Sequence, residues 1–274
     1  MKNKFYEFKN ITATSADLYI YGEIVEENWE KWDEDSGISL TEFKEELDQL
    51  NGIMDLNIYI NSVGGSVFAS STMVSLLERL KLQGTKVHTY VDGLCASAST
   101  FILFAGDDVN LYDNSIVMIH KPMTMAYGNA DEIQKIIDTL NKIQDSVMLP
   151  LYEKKAKVGR EELNKLINDE TWFDAKEASE IFNVNLLNQA KQVTASISDK
   201  FKNVYKHIPT ALISATNAEN QAPEAQKTEE APKEQEQVQN TAEVAKNEPQ
   251  PQTVQTVDYS MFENTINNLK KGGN

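Results

Sequence analysis

Apolar positions along the chain recur in one order: an alternating run, a turn of glycine or small residues, then an apolar run at helical spacing. Asp17 to Ile24 (Asp-Leu-Tyr-Ile-Tyr-Gly-Glu-Ile) has the period of two expected of a strand and is closed by Gly22. Within the acidic stretch that follows, Leu40, Phe43 and Leu47 share one face of a helix, with Ser39 or Thr41 as its cap. Asp55 to Ile60 is a second strand, and it runs straight into Asn61-Ser-Val-Gly64-Gly65-Ser66. A helix from about Val67 to Leu80 follows, with Val74, Leu77 and Leu80 inward. Lys86 to Val91 alternates Val87, Thr89 and Val91 against His88 and Tyr90, and Phe101 to Ala105 is too apolar to sit in water. Strand, turn, helix, strand is a βαβ unit, so the pattern predicts an α/β fold with parallel strands.

Downstream, Asp108 to Leu111 and Ser115 to Ile119 are strand-like, the second ending at His120-Lys121-Pro122. The longest predicted helix covers Asn129 to about Leu149, with Ile133, Ile136, Ile137, Leu140, Ile143 and Val147 on one side. At about 1.5 Å per residue it spans roughly 30 Å, more than a small domain needs to close its own core, so it is expected to protrude toward a neighbouring subunit. Arg160 to Ile167 forms a short helix. Asp174, with Glu177 at the capping-box position, opens another after Trp172 and Phe173.

Composition narrows the function classes. The chain has 274 residues, 41% of them hydrophobic, enough for one substantial core plus appendages. A net charge of -16 argues against nucleic acid, because phosphate binding needs a basic face. The lone cysteine, Cys95, excludes a disulfide within the chain and a cysteine-based zinc site, which suits a reducing compartment. No segment approaches eighteen consecutive apolar residues, and Met1-Lys-Asn-Lys-Phe-Tyr does not read as a signal-peptide core; the expectation is a soluble, cytoplasmic protein without a membrane partner.

Three stretches carry candidate chemistry. In Gly93-Leu-Cys-Ala-Ser97-Ala-Ser99 the small residues let the backbone turn sharply, which seats Ser97 at the first turn of a buried helix with free N–H groups nearby. Ser97 is there either a nucleophile or, like Ser99, a plain helix cap. The paired Gly64 and Gly65 lack the lysine of a Walker loop and the third glycine of a dinucleotide fingerprint, which leaves a plain tight turn or one that offers backbone N–H groups to an oxyanion. His120, fixed by Pro122 at a strand end, is either a satisfied histidine or the general base that a nucleophilic Ser97 would need; His88 and His207 are poorer candidates. Three histidines without clustered spacing make no metal site, and no organic cofactor is implied.

Together, Tyr59-Ile-Asn-Ser-Val-Gly64-Gly65, Gly93-Leu-Cys-Ala-Ser97-Ala-Ser-Thr-Phe-Ile-Leu, Val117-Met-Ile-His120-Lys-Pro and Thr171-Trp-Phe-Asp-Ala-Lys-Glu-Ala resemble the Clp peptidase (ClpP) family of serine proteases, in the family's order and over about residues 15 to 190. Within that family the Glu170-Thr171-Trp172 motif resembles the phage head-maturation, or prohead, branch. The resemblance implies a ClpP/crotonase-like α/β fold with a protruding helix. It puts Ser97 on the nucleophile, His120 on the general base, and Gly65 and Ala98 on the positions whose backbone N–H groups form the oxyanion hole. The histidine-orienting acid falls on Glu170, with Asp169 one residue away as the alternative. Phe182-Asn-Val-Asn185 departs from the family's Gly-Leu-Val-Asp ending, which bears on the helix exit rather than on the chemistry.

The implied activity is a serine endopeptidase, assembling into a ring-like homo-oligomer and cutting capsid or scaffold precursors in the host cytoplasm or the assembling prohead. One alternative is the proteolytic subunit of an ATP-dependent Clp protease, fed by an AAA+ unfoldase; another is an inactive assembly protein of the same fold. The expected layout is an N-terminal segment over 1–15, the protease domain over 16–210, an acidic tail over 211–258 and a short end peptide over 259–274. Residues 214–257 hold eight Glu, three Lys, four Pro and no aromatic residue, which predicts disorder. In the end peptide Phe262, Ile266 and Leu269 return at helical spacing, as a docking peptide for capsid or scaffold protein or as a polar end.

Overall fold

The computed structural model describes residues 6–12, 14–31, 37–50, 52–189, 199–202, 204–210 and 212. The expectations for the acidic tail beyond Leu212 and for the end peptide lie outside these residues. In chain order the elements are β1 (Tyr6–Lys9), β2 (Ser15–Val25), β3 (Gly37–Ser39), α1 (Leu40–Asp48), β4 (Asp55–Gly65), α2 (Val67–Leu82), β5 (Lys86–Ala96) and α3 (Ser99–Ala105). Then come β6 (Asp108–Leu111), β7 (Ile116–Ile119), α4 (Ala130–Ile143), α5 (Leu149–Glu153), α6 (Arg160–Asn168), β8 (Thr171–Asp174), α7 (Ala175–Ile181), β9 (Asn185–Leu186) and α8 (Asp199–Lys202).

One twisted sheet carries the fold, in the strand order β1-β2-β4-β5-β6-β9. From β2 to β9 these neighbours are parallel, and β1 is antiparallel to β2, so Tyr6–Lys9 of the predicted N-terminal segment belongs to the sheet. The predicted βαβ units are present. Leu18, Ile20, Leu56, Ile58, Ile60, Val87 and Val91 line the core face beneath α2 and α3, and all are buried. Helix starts follow the local chemistry. Ser39 and Glu42 form a reciprocal capping box on α1, as do Asp174 and Glu177 on α7, so that orphan backbone donors of the first turn are satisfied.

Two strands run further than the alternating pattern predicted. Strand β4 continues to Gly65 and β5 to Ala96. Every residue from Val91 to Ala96 is buried, so both faces of this part of the sheet are covered and the polar positions that mark alternation disappear. Here β5 also changes partner: His88 to Val91 pair with β6, and Leu94 to Ala96 pair with β7.

The long helix expected over 129–149 is three pieces. After α4, residues Gln144–Met148 form a single π turn that leads directly into α5. The buried Gln144 amide donates to Asn164 Oδ1 at 2.8 Å and Asn168 Oδ1 at 3.2 Å on α6, which accounts for the inserted residue. Because the π turn rotates the following face, Met148, Leu149 and Tyr152 enter the core, while no side chain of α4 is buried and Ile133 and Ile137 stay exposed. Among the described residues no helix is long and apolar enough to cross a membrane.

Candidate active site

The site grows out of the ends of β4, β5, β7 and β8. Ala96 pairs with Met118, and the Ser97 N–H donates to the Met118 carbonyl at 2.9 Å, so the strand register brings the chain at 97 beside the chain at 118–120. Strand β8 runs antiparallel to β7 with Met118 opposite Trp172 and Ile119 opposite Thr171. The residues next beyond this last pair are His120 on one strand and Glu170 on the other.

Ser97 precedes α3 rather than occupying its first turn. Its φ is +56°, a left-handed value uncommon for a side-chain-bearing residue, and α3 begins at Ser99 with Ala98 as N-cap. The elbow is pinned from both sides. The Ser97 carbonyl accepts from the Thr100 N–H at 3.0 Å and the Thr100 hydroxyl at 2.5 Å, and Thr100 in turn bonds the Tyr152 hydroxyl at 2.7 Å. The left-handed turn directs the Ser97 hydroxyl to 2.7 Å from His120 Nε2. Ser99, the other serine of the stretch, is fully buried and donates to the Ala96 carbonyl at 2.8 Å, so it stitches the elbow to the strand.

The glycine turn packs on this elbow. A Cβ on Gly64 would lie 2.7 Å from Ser97 Cβ and 3.0 Å from the Ala98 nitrogen, so only a residue without a side chain lets the two turns meet. On the far side, a Cβ on Gly65 would lie 2.0 Å from the Ile24 carbonyl oxygen of β2. The Ser62 hydroxyl donates to the Gly22 carbonyl at 2.6 Å and accepts from the Gly64 N–H at 3.1 Å, which fixes the turn's approach.

His120 is 7% exposed. Burial pushes its imidazole down to about 4, against the opposing pull of the Glu170 charge, so the ring is neutral at pH 7 and its Nε2 can accept a proton. Glu170 is itself buried, with φ +52°, and its Oε1 accepts from the backbone N–H groups of Lys206 at 2.6 Å and His207 at 2.8 Å and from Trp172 Nε1 at 3.4 Å. Asp169 caps the C-terminus of α6, and its carbonyl oxygen lies 3.1 Å from His207 Nδ1. The Glu170 charge favours the protonated ring, but its carboxylate is hydrogen-bonded to Lys206, His207 and Trp172 rather than to His120. A cavity of about 500 Å³ opens beside them, lined by His120, Lys121, Met123, Asp169, Glu170 and His207. His88 is remote from this centre along β5, held between Asp55 at 3.3 Å and Asp108 at 3.0 Å. Among the described residues no group of three or more His, Cys, Asp or Glu is placed to hold a metal ion.

One residue at the site escaped the sequence reading. Tyr205 packs perpendicular to the His120 ring at 5.3 Å between centroids, and its hydroxyl donates to the Val63 carbonyl. A signal for it exists in the chain: Phe201, Tyr205, Ile208 and Leu212 recur at helical spacing just beyond the stretch that carries the family resemblance.

With this geometry in view, comparison with known proteins is specific. The family model described as Clp protease matches residues 43–183, which takes in Gly64, Gly65, Ser97, Ala98, His120, Asp169 and Glu170. The ATP-dependent Clp protease proteolytic subunit of Bacteroides thetaiotaomicron is 31% identical over 139 residues, covering 49% of this chain and 60% of the relative. The match thus spans about three fifths of that relative's length. The family model covers more than half of the chain, from α1 through α7 with the serine elbow at its centre, and the chain belongs to the Clp protease family.

Proposed function

We propose that the chain is a serine endopeptidase in which Ser97 is the nucleophile, His120 the general base, and Glu170 the acid that orients the imidazole. The 2.7 Å contact between Ser97 Oγ and His120 Nε2 carries this reading. In the reaction, the neutral ring takes the Ser97 proton as the oxygen attacks a peptide carbonyl, and the imidazolium returns a proton to the leaving amine. A water then repeats the sequence on the acyl-enzyme. The oxyanion is assigned to the backbone N–H groups of Gly65 and Ala98, supported by the close packing of the glycine turn on the serine elbow.

The substrates we infer are capsid or scaffold precursors, in line with the Glu170-Thr171-Trp172 motif and the long acidic stretch beyond the domain. Ring-like self-association fits the unburied apolar positions Ile133 and Ile137 on α4. The relative's name supports a second reading, a proteolytic subunit that works with an ATP-dependent partner. Cleavage of a capsid precursor by the purified protein without ATP supports the first reading; cleavage only in the presence of an unfoldase and ATP supports the second.

The chemistry itself is tested by a serine-directed fluorophosphonate. Wild type is expected to label at one site, with all labelling lost in Ser97→Ala; equal labelling of both proteins would exclude Ser97. The pH profile is a second test. Only neutral His120 accepts a proton, so the labelling rate should hold constant from about pH 8 down past 6.5 and reach half its plateau near pH 4. A midpoint at or above the ordinary histidine value of about 6.5 would contradict the buried, neutral base.

A further inference from the structure

The described part of the 199–212 segment lies on the reacting groups rather than away from them. Phe201, Tyr205 and Leu212 are buried against Leu94, Ala96 and Met118, the apolar ends of β5 and β7 that flank the Ser97 elbow, with Val63 and Trp172 completing the patch. Tyr205 sits at the centre of the contact. Its ring stacks on Phe201 at 5.7 Å and lies perpendicular to Trp172 at 5.8 Å and to His120 at 5.3 Å. Its hydroxyl donates to the Val63 carbonyl, just before the glycine turn. The next two residues are tied down as well, through the N–H groups of Lys206 and His207 on Glu170. With its hydroxyl on the Val63 carbonyl and its ring against His120, Tyr205 fills space beside the Ser97–His120 pair that an approaching peptide would need.

We propose that the 199–212 segment is an intramolecular plug on the substrate groove, anchored by the Tyr205 ring and latched by Glu170, and that a substrate must displace it before Ser97 can react. The proposal rests on the peptidase reading of Ser97 and His120. Its physical basis is competition within one chain: the tethered segment is always at hand, so the groove opens only in the fraction of molecules in which the segment has lifted. The same groups serve both states. Glu170 holds the plug by its Oε1 and turns to the imidazole when the plug leaves, so that opening the groove and preparing the base are one event.

Access to position 97 can be measured apart from chemistry. In the full chain, Ser97→Cys places a thiol at the elbow whose alkylation by iodoacetamide reports steric access whether or not residue 97 is a nucleophile. The native Cys95 stays silent, since it is fully buried and burial pushes its thiol up to about 12. Adding Tyr205→Ala is expected to raise the alkylation rate about tenfold or more, in proportion to the open fraction. Adding Lys206→Pro instead, which removes one donor to Glu170 at an exposed position and leaves the buried ring unaltered, is expected to raise it in the same direction. Equal alkylation rates with and without either change would overturn the plug. Faster alkylation in both, with no fluorophosphonate labelling of the serine-bearing Tyr205→Ala protein, would uphold the plug and remove the peptidase reading.

Discussion

Replacing His120 by alanine should lower the rate of peptide hydrolysis by about 10⁶-fold, which is about 8 kcal/mol of transition-state stabilisation. The size follows from the geometry. A serine hydroxyl is a weak nucleophile at neutral pH, and in the proposed mechanism the ring held neutral by burial, 2.7 Å away, takes its proton during attack. Ser97→Ala should cost about as much, and the double variant no more than either alone, because the two side chains act as one unit. Independent, additive losses would mean that hydroxyl and ring do not share a proton. Glu170→Gln is expected to be milder, near 10⁴-fold, since orientation is weakened and the base remains. That loss should be read in a Tyr205→Ala background, where a looser latch no longer raises access to Ser97 at the same time as the base is misaligned.

The burial that tunes His120 also has a stability consequence of definite sign. In the unfolded chain the ring titrates near 6.5, and in the fold near 4. Above pH 6.5 both states are neutral there and nothing is lost. Between 6.5 and 4 the unfolded state binds a proton that the folded state refuses, so unfolding is favoured progressively, by up to about 3 kcal/mol below pH 4. A chain bearing His120→Asn should escape this part of its acid sensitivity.

Much of the frame was legible because its signals are local. Alternation marked β2, β4 and the first half of β5, and the capping boxes marked the starts of α1 and α7. What could not be read is long-range. Nothing within residues 92–96 announces that the strand continues, because the polar rows vanish when helices cover one face and Phe201, Tyr205 and Leu212 the other. Ser97 looked like a helix residue because small residues suit a helix start as well as an elbow, and only the pairing of its N–H with Met118 forces the left-handed turn. The break in the long helix is likewise set by Gln144 meeting α6, some twenty residues further on. The proximity of residues 97, 120 and 170 was legible only through resemblance; physically it comes from the registers of β5 with β7 and of β7 with β8. Tyr205 was missed because the motifs that carry the resemblance end near residue 190, although its apolar spacing was present.

Gly65→Ala should be among the most damaging single substitutions in the chain outside the reacting groups. Its φ is +147°, a backbone region that side-chain-bearing residues rarely adopt, and the added Cβ would fall 2.0 Å from the Ile24 carbonyl oxygen and within 2.9 Å of the Ile24 carbonyl carbon and nitrogen. Those neighbours are backbone atoms of β2, locked into the parallel ladder with β4, so no rotamer change relieves the contact. Either β2 and β4 part at their ends or the turn is expelled from the sheet. The cost is expected to exceed about 4 kcal/mol, which for a domain of this size lowers the melting temperature by roughly 8–16 °C. Activity should fall further than stability accounts for, because an expelled turn carries Gly64 away from Ser97 and Ala98 and dismantles the proposed oxyanion site. Gly159→Ala is the matched control, since φ there is −77° and a Cβ meets nothing within 4 Å. Near-native melting of both variants would show that β2 and the glycine turn do not approach as closely as described, whereas a large drop confined to Gly65→Ala places the constraint in the turn that faces the serine.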